Sequence, residues 1–158
     1  MPEIAPFLWF EKDAGEAAEL YVSLVPDSRI ESVTALPSDS PSGPAGSVKI
    51  VAFTLAGRPH VAFNGGKLDS FNHAVSLFIT CDTQDEIDRI WDGFLNAGGE
   101  AQQCGWLKDR WGLYWQIVPR ALLEMMKSPD RARAARAMEA MMKMIKLDIA
   151  ALKRAYDG

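Results

Sequence analysis

Few side chains in this sequence are suited to metal or nucleophilic chemistry, and they are widely spaced. The chain of 158 residues contains two histidines, His60 and His73, and two cysteines, Cys81 and Cys104. A catalytic transition-metal site needs about three His or carboxylate ligands, so the histidines are candidate ligands only in combination with other groups. The sequence contains no GxSxG nucleophile elbow, no P-loop and no HExxH zinc motif. The cysteines fit buried thiols in a reducing cytoplasm better than a disulfide framework.

Composition and charge exclude several classes of function. Hydrophobic residues make up 48% of the chain, which is enough for one domain, residues 1–158, with a substantial core. The formal net charge of -4 and the pI near 5.2 do not favour binding to nucleic acid. No apolar run approaches the length of a membrane span, and the first residues lack the basic start of a secretory signal. We therefore expect a cytoplasmic protein that binds neither membranes nor nucleic acid.

The segment from Phe71 to Pro119 predicts one strand, one helix and two or three further strands. The first strand is His73–Cys81, which is apolar and rich in β-branched residues. Thr83 and Glu86 have the spacing of a capping box, which begins a helix. The helix has an apolar stripe at the spacing of one buried face, made by Ile87, Ile90, Trp91, Phe94 and Leu95. The later strands are Gln102–Lys108 and Leu113–Val118, joined by a turn at Asp109–Gly112.

An earlier segment repeats this order of elements. A strand at Ile4–Phe10 precedes a second predicted capping box, made by Asp13 and Glu16. Three strands follow the helix, interrupted by a loop rich in Pro, Ser and Gly: Arg29–Leu36, Val48–Leu55 and Pro59–Asn64. The sequence therefore predicts an α+β fold of two βαβββ modules, the first at about 4–66 and the second at about 71–119.

The C-terminal residues predict one long amphipathic helix at 128–157. Ser128 is the expected N-cap, and Pro129 occupies the first helical position, where proline is favoured. Apolar residues recur at helical spacing: Met138, Met141, Met142, Ile145, Ile149, Leu152 and Tyr156. We expect this stripe to pack on the sheet or on a second subunit. The alternatives are a surface for a ligand or a membrane, or an interaction surface for another partner.

Several segments resemble the PhnB-like branch of the vicinal-oxygen-chelate superfamily, which includes glyoxalase I, bleomycin-resistance proteins and extradiol dioxygenases. This branch is also called the 3-demethylubiquinone-9 3-methyltransferase family. The similar segments include PFLWF, FTLAGRPHVAFNGG, the tail MMKMIKLDIAALKRAY and, as the most specific piece, CGWLKDRWGLYWQIVP. The resemblance implies paired βαβββ modules whose sheets curve around a cavity, and commonly a homodimer.

The resemblance also implies where metal ligands would stand. In active relatives they would align with Phe7, Leu77 and Gln116, of which the first two cannot bind metal and the third offers a poor, neutral oxygen. We therefore expect a small-molecule-binding cavity without the superfamily's metal or any other cofactor. Methyltransferase activity is not expected, since no glycine-rich turn joins a strand to a helix. The alternative is a metal-dependent lyase, isomerase or dioxygenase that uses His60, His73 or Gln116.

The expected cavity is aromatic with a few polar groups. Alternation along the last strand places Tyr114, Gln116 and Val118 on one face. Such a pocket suits a planar or amphipathic small molecule. Asp109 and Arg110 are expected in a solvated turn before the last strand, and gating of the cavity mouth is the alternative. The predicted lining residues are Trp9, Phe53, Asn64, Leu77, Trp106, Tyr114 and Gln116.

Overall fold

The structure is a computed structural model that describes residues 1–158. The chain divides into two compact units, Met1–Asp69 and Ser70–Gly158, and each contains one four-stranded sheet. The elements are β1 (Phe7–Phe10), α1 (Ala14–Leu24), β2 (Arg29–Ala35), β3 (Lys49–Leu55), β4 (Arg58–Asn64), β5 (Ser76–Cys81), α2 (Gln84–Asn96), β6 (Glu100–Ala101), β7 (Trp106–Lys108), β8 (Tyr114–Pro119), α3 (Arg120–Lys127), α4 (Arg131–Met141) and α5 (Ile149–Asp157). The predicted α+β fold with two βαβββ repeats is confirmed.

The two sheets have the same topology. The first has the strand order β1-β4-β3-β2 and the second β5-β8-β7-β6. In each, the first strand pairs in parallel with the fourth, and the other neighbours are antiparallel. Helix α1 packs on one face of the first sheet, where Tyr21 lies 6.4 Å from Phe53 between ring centroids. Helix α2 covers one face of the second sheet, where Phe94 lies 4.7 Å from Trp115. The face of each sheet away from its helix is called its open face.

Strand alternation separates the two faces clearly. In β8, Trp115 and Ile117 are no more than 1% exposed because they point toward α2. Tyr114 and Gln116 alternate with them and are half-buried on the open face. The sequence therefore buries one face of each strand as core and leaves the other with aromatic and polar side chains.

Only one of the two predicted capping boxes forms. The Thr83 hydroxyl accepts the Glu86 N–H at 3.2 Å, and the Glu86 carboxylate accepts the Thr83 N–H at 3.4 Å. The box predicted at Asp13 is wrong, since Asp13 makes no side-chain capping hydrogen bond. Its backbone is in the left-handed region, with φ of 65°, whereas an N-cap side chain reaches the helix from an extended backbone.

The predicted single C-terminal helix is also wrong, because the chain forms α3, α4 and α5. Ser128 ends α3, and Asp130 is the N-cap of α4, accepting the Arg133 N–H at 3.1 Å. A second N-cap, Asp148, starts α5 by accepting the Ala151 N–H at 2.9 Å. The intervening residues 142–148 place Leu147 at 0% exposure in a core cluster with Leu122 and neighbouring helix residues. None of the helices combines the length and the apolar content needed to cross a bilayer.

The linker between α4 and α5 docks on the second sheet. The N–H groups of Cys104 and Gly105 donate to the carbonyls of Met144 and Ile145, both at 2.8 Å. These two hydrogen bonds hold the linker against the turn that precedes β7. The predicted strand Gln102–Lys108 is correspondingly shorter, since Cys104 and Gly105 have φ of 59° and 81°, which are turn conformations.

Helix α2 holds the same linker through its first turns. The Gln84 amide donates to the Leu147 carbonyl at 3.0 Å and accepts the Ile149 N–H at 2.8 Å. The Lys146 ammonium lies 3.0 Å from the Asp88 carboxylate. A hydrogen bond from the Gln84 amide is the larger cause that lowers the pKa of the Asp88 carboxyl, and the hydrogen bond from Lys146 lowers it further. The C-terminal segment is thus anchored to the second module by backbone and side-chain bonds.

Candidate functional site

The candidate site lies on the open face of the second sheet. Residues paired across neighbouring strands share a face, so the strand register fixes which side chains meet there. One row across the sheet contains Glu100, Lys108, Tyr114 and Ser76. The next row contains Trp106, Gln116 and Phe78. Three of the predicted lining residues, Trp106, Tyr114 and Gln116, are therefore neighbours on one surface.

His73 lies over this face. Its ring stacks on Tyr114 with centroids 3.8 Å apart and is 5.8 Å from Trp106. Its Nε2–H donates to the Gln102 Oε1 at 3.1 Å. His73 was expected at the start of a strand, but β5 begins only at Ser76, so the histidine is in the preceding turn. The structure nevertheless brings it to the aromatic cluster, and it adds Gln102, which the sequence did not single out.

Gln116 stands at the centre of its row. Its Nε2 donates to the Ser76 hydroxyl at 3.0 Å, which fixes the amide and leaves its carbonyl oxygen as an acceptor. Trp106 flanks it on β7, where the indole is half-buried. Phe78 flanks it on β5 and is 49% exposed. An exposed phenyl, an indole and a fixed amide side by side form a surface that can bind an aromatic molecule.

The charged groups in the first row neutralise each other. The Lys108 ammonium lies 3.0 Å from the Glu100 carboxylate. Its hydrogen bond to Glu100, aided by charge attraction, raises the pKa of Lys108 above its ordinary value. Lys108 therefore stays protonated but is already paired.

Leu77 does not line this face, contrary to the prediction. Leu77 pairs with Trp115 and so lies on the side covered by α2, whereas Gln116 pairs with Phe78. Phe7 and Leu77 both stand six residues before their helix N-caps, Asp13 and Thr83. Three residues link β1 to α1, but only two link β5 to α2, so equal distances from the caps correspond to opposite faces of the two sheets. Phe78 is the true counterpart of Phe7, and the two rings are 49% and 55% exposed.

Phe53 and His60 are on the helix-covered face of the first sheet. Phe53 is 1% exposed, and its ring stacks on the His60 ring at 5.4 Å, so Phe53 is a core residue and not a lining residue of the open face. The His60 Nδ1–H donates to the Arg58 carbonyl at 2.9 Å. Burial lowers the pKa of His60 below its ordinary value, an effect that this hydrogen bond partly opposes.

Trp9 lies on the open face of the first sheet, whereas Asn64 does not. Trp9 pairs with Phe63, its ring lies 4.8 Å from the Phe63 ring, and its indole N–H donates to the Gly66 carbonyl at 2.9 Å. Asn64 pairs with Phe10 on the helix-covered side. Its amide accepts the Lys49 N–H at 2.9 Å, so it orders backbone at the end of the sheet.

The turn before β8 is built around a buried carboxylate, which corrects the expectation of a solvated Asp109. Asp109 is 2% exposed. Its Oδ1 accepts the N–H groups of Trp111 and Leu113, and its Oδ2 accepts the indole N–H of Trp115, all at 3.0 Å. Arg110 is exposed, as expected, with its guanidinium 4.5 Å from the centroid of Trp111. Asp109 is therefore a structural residue that fixes the start of β8.

The cysteines lie at different depths. Both are free thiols, and Cys81 is buried at the end of β5. Burial is the main cause that raises the pKa of Cys81 to about 11, so almost none of it is thiolate at neutral pH. Cys104 is half-buried in the turn before β7. Cys81 is thus a small buried apolar group.

The residues at the expected ligand positions do not fit a divalent transition metal. Phe7 and Leu77 carry no donor atom, and neither does Phe78, which corresponds to Phe7 by strand register. Gln116 supplies only a neutral amide, and its nitrogen is committed to Ser76. The structure places no group of three or more His, Cys, Asp or Glu side chains together where they could hold a metal ion.

A separate apolar strip lies on the C-terminal helices. Met126 and Met138 line a cavity of about 170 Å³ together with Arg131, Ala134 and Ala135. Met142 and Ile145, in the linker that follows α4, are also exposed, at 52% and 57%. The predicted methionine stripe is therefore partly exposed, while Leu152 at its other end is in the core.

Comparison with known proteins identifies the family. Residues 2–118 match the family named 3-demethylubiquinone-9 3-methyltransferase, so the chain belongs to this family. The match excludes the C-terminal segment, which was expected to carry part of the resemblance. No curated protein matches the sequence.

Solved structures with a similar fold are also found. The PhnB protein of Bacillus cereus is 28% identical with a TM-score of 0.64, covering 75% of this chain and 99% of that chain. A protein from Pseudomonas aeruginosa is 19% identical with a TM-score of 0.57, and the alignment covers 75% of this chain and 98% of that chain. A fosfomycin resistance protein from Mesorhizobium loti is 13% identical with a TM-score of 0.53. The alignment covers 85% of this chain and 98% of that chain, so the two proteins share the fold.

Proposed function

We propose that this protein binds a small organic molecule on the open face of its second sheet, without the metal used by active members of the superfamily. The observation that carries the proposal is the row Trp106–Gln116–Phe78, in which two aromatic rings flank a fixed amide. An aromatic surface with few, well-placed polar groups is typical of small-molecule sites. His73 and Tyr114 extend the same surface.

Methyl transfer from S-adenosylmethionine is not part of the proposal, despite the family's name. A Rossmann-type site would need a glycine-rich turn between a strand and a helix. The two links of this kind, Glu11–Asp13 and Asp82–Thr83, contain no glycine. Calorimetric titration with S-adenosylmethionine should give no binding heat, and micromolar binding would contradict this part of the proposal.

A thermal-shift screen with aromatic metabolites and antibiotics tests the binding proposal. A ligand at about 100 times its Kd stabilises the folded state by about 2.7 kcal/mol, which is easily detected as a rise in Tm. We expect some compounds to raise the Tm of the wild type but not of Trp106→Ala. Met142→Ala, which removes an exposed side chain from the linker between α4 and α5, is the matched control and should keep the response. No stabilisation across a broad library would contradict the proposal.

Elemental analysis tests the absence of a resident metal. The protein should be purified without a metal-affinity tag or chelator and then incubated with each candidate ion. We expect far less than one equivalent bound per chain, because the donor set does not fit. About one equivalent of bound metal per chain, lost in His73→Ala, would contradict this expectation. It would support the alternative function, a metal-dependent lyase, isomerase or dioxygenase.

We further propose that the protein is a cytoplasmic homodimer. The two free cysteines fit a reducing compartment, and the exposed apolar residues on the C-terminal helices are suited to contact between subunits. Light scattering should give twice the chain mass of 17.4 kDa. A mass equal to one chain at micromolar concentration would contradict the dimer.

A further inference from the structure

We infer that the linker between α4 and α5, residues 142–148, positions the side chains of the proposed binding site. It holds the turn that carries Gln102 and Trp106, and through Gln102 it also fixes His73. This inference rests on the proposed function and concerns the same site. The linker lies beyond residues 2–118, which match the family, so this support comes from a part of the chain outside the family match.

The linker is bonded to the turn through its backbone. The Cys104 N–H donates to the Met144 carbonyl at 2.8 Å. The Gly105 N–H donates to the Ile145 carbonyl, also at 2.8 Å. The Gly105 carbonyl accepts the Ile117 N–H of β8 at 2.8 Å. The turn is therefore bonded both to the sheet and to the linker.

The turn needs this support because its backbone is strained. Cys104 has φ of 59°, in the left-handed region that residues other than glycine seldom adopt. Such a conformation costs free energy and persists only where surrounding contacts hold it. The hydrogen bonds to the Met144 and Ile145 carbonyls are contacts of this kind, so we expect the turn to relax without them.

The same turn carries two residues of the site. The Gln102 N–H donates to the Trp106 carbonyl at 2.9 Å, which closes the turn. The Gln102 Oε1 accepts the His73 Nε2–H at 3.1 Å, and the His73 ring lies 5.8 Å from the Trp106 ring. A change in the turn therefore affects Trp106 directly and His73 through Gln102.

Gln84 and Lys146 are the side chains that hold the linker to α2. The Gln84 amide bonds to the Leu147 carbonyl at 3.0 Å and to the Ile149 N–H at 2.8 Å. The Lys146 ammonium lies 3.0 Å from the Asp88 carboxylate. Both contacts are made with α2, which covers the face of the sheet opposite to the site. Gln84 and Lys146 are therefore positioning residues that act through the linker and the turn.

NMR of the ligand-free, full-length protein tests the inference. Gln84→Met removes both hydrogen bonds to the linker, so we expect the amide hydrogens of Cys104 and Gly105 to exchange at least about tenfold faster. We also expect the indole ¹⁵N–¹H signal of Trp106 to shift. The signal of the buried Trp115 should stay in place, which would show that the core is intact.

Arg136→Met is the matched control. Arg136 joins α4 to α5 by donating to the Ala155 and Tyr156 carbonyls, at 3.0 and 2.9 Å, and neither carbonyl belongs to the linker. This variant loosens the C-terminal helices without releasing the linker. It should therefore leave the Trp106 signal unchanged.

A second pair of variants tests the same point if Gln84→Met does not fold. Lys146→Met removes the ion pair with Asp88 and should also shift the Trp106 signal, but by less, because the pair is partly exposed. Lys146→Arg keeps the charge and should restore the wild-type signal.

The outcomes separate this inference from the proposed function. If exchange at Cys104 and Gly105 becomes faster but the Trp106 signal does not move, the positioning role is overturned and the binding site stands. The same holds if Arg136→Met shifts the signal equally, or if neither Gln84→Met nor Lys146→Met speeds the exchange. If the Trp106 signal shifts as expected but the aromatic screen finds no ligand, the proposed function is overturned, and the role of the linker in binding with it.

Discussion

The imidazole of His73 stacks on the phenol of Tyr114, with ring centroids 3.8 Å apart and ring planes inclined by 34°. The two residues belong to different parts of the second module, since His73 precedes β5 and Tyr114 begins β8. The hydrogen bond from His73 to Gln102 holds the ring in place from a third segment. Three separate stretches of chain therefore meet on the open face, next to Trp106.

Removing this imidazole should weaken ligand binding. In His73→Ala, Tyr114 loses its stacking partner and the site loses the free Nδ1 acceptor, so we expect affinity for an aromatic ligand to fall about two- to tenfold. His60→Gln is the matched control, since His60 lies on the helix-covered face of the first sheet and should leave affinity unchanged. Calorimetric titration measures both, and equal losses in the two variants would contradict a specific role for His73.

The buried Asp109 should be important for stability. In Asp109→Asn one oxygen that accepts N–H bonds becomes an NH₂ group, which faces donors, so we expect a loss of about 2–4 kcal/mol in the free energy of unfolding. The same change at the exposed N-cap Asp130 should be nearly neutral, because Asn caps helices as well as Asp. Urea unfolding gives both values, and a loss below about 0.5 kcal/mol at Asp109 would show that the carboxylate is not needed.

Two glycines with similar backbones should respond differently to alanine. Gly105 and Gly112 have φ of 81° and 92°, so either substitution strains the backbone by about 1 kcal/mol. A Cβ on Gly105 would also lie 2.9 Å from both the Ile117 carbonyl and Leu147, whereas nothing lies within 4 Å at Gly112. Gly105→Ala should therefore be more destabilising than Gly112→Ala by at least about 1 kcal/mol in urea unfolding. Amide hydrogen exchange of α5 should also be faster in Gly105→Ala than in the wild type. Equal losses of stability in Gly105→Ala and Gly112→Ala would contradict the docking of residues 144–147 on the turn before β7.

The low pKa of His60 predicts a pH dependence of stability. The ordinary pKa is 6.5, and burial lowers it in the folded state, so the unfolded chain binds a proton that the folded chain does not. Stabilisation by neutral His60 is therefore present above pH 6.5 and is lost as the pH falls through the folded pKa. The advantage of the wild type over His60→Phe should shrink as the pH falls below 6.5. A difference that is constant or that grows on acidification would contradict the burial of His60.

The parts of the fold that depend on local pattern could be predicted from the sequence. Alternation identified Tyr114 and Gln116 as neighbours on one face, and the capping box at Thr83 located the start of α2 correctly. Register across the sheet could not be obtained in this way. Leu77 was chosen instead of Phe78 because the link between strand and helix differs by one residue between the modules, and one residue reverses the face.

Other features depend on tertiary contacts that local pattern does not report. Asp109 is typical of a solvated turn by residue type, yet three N–H donors make its burial favourable. The break between α4 and α5 was missed because the apolar spacing continues across it, from Ile145 to Ile149. Asp148 was the available signal, since an Asp that caps a helix also marks a boundary.

The most direct test of the central claim is to observe the Trp106 indole while aromatic fragments are added. The chain contains five tryptophans, so the ¹⁵N–¹H indole signals form a small set, and Trp106→Phe assigns the relevant one. We predict that ligand binding shifts the Trp106 signal, while those of the buried Trp91 and Trp115 barely move. Phe78→Ala should weaken this response at least about threefold. Fragments that bind with a measurable Kd but leave the Trp106 signal unmoved would contradict a binding site on the open face of the second sheet.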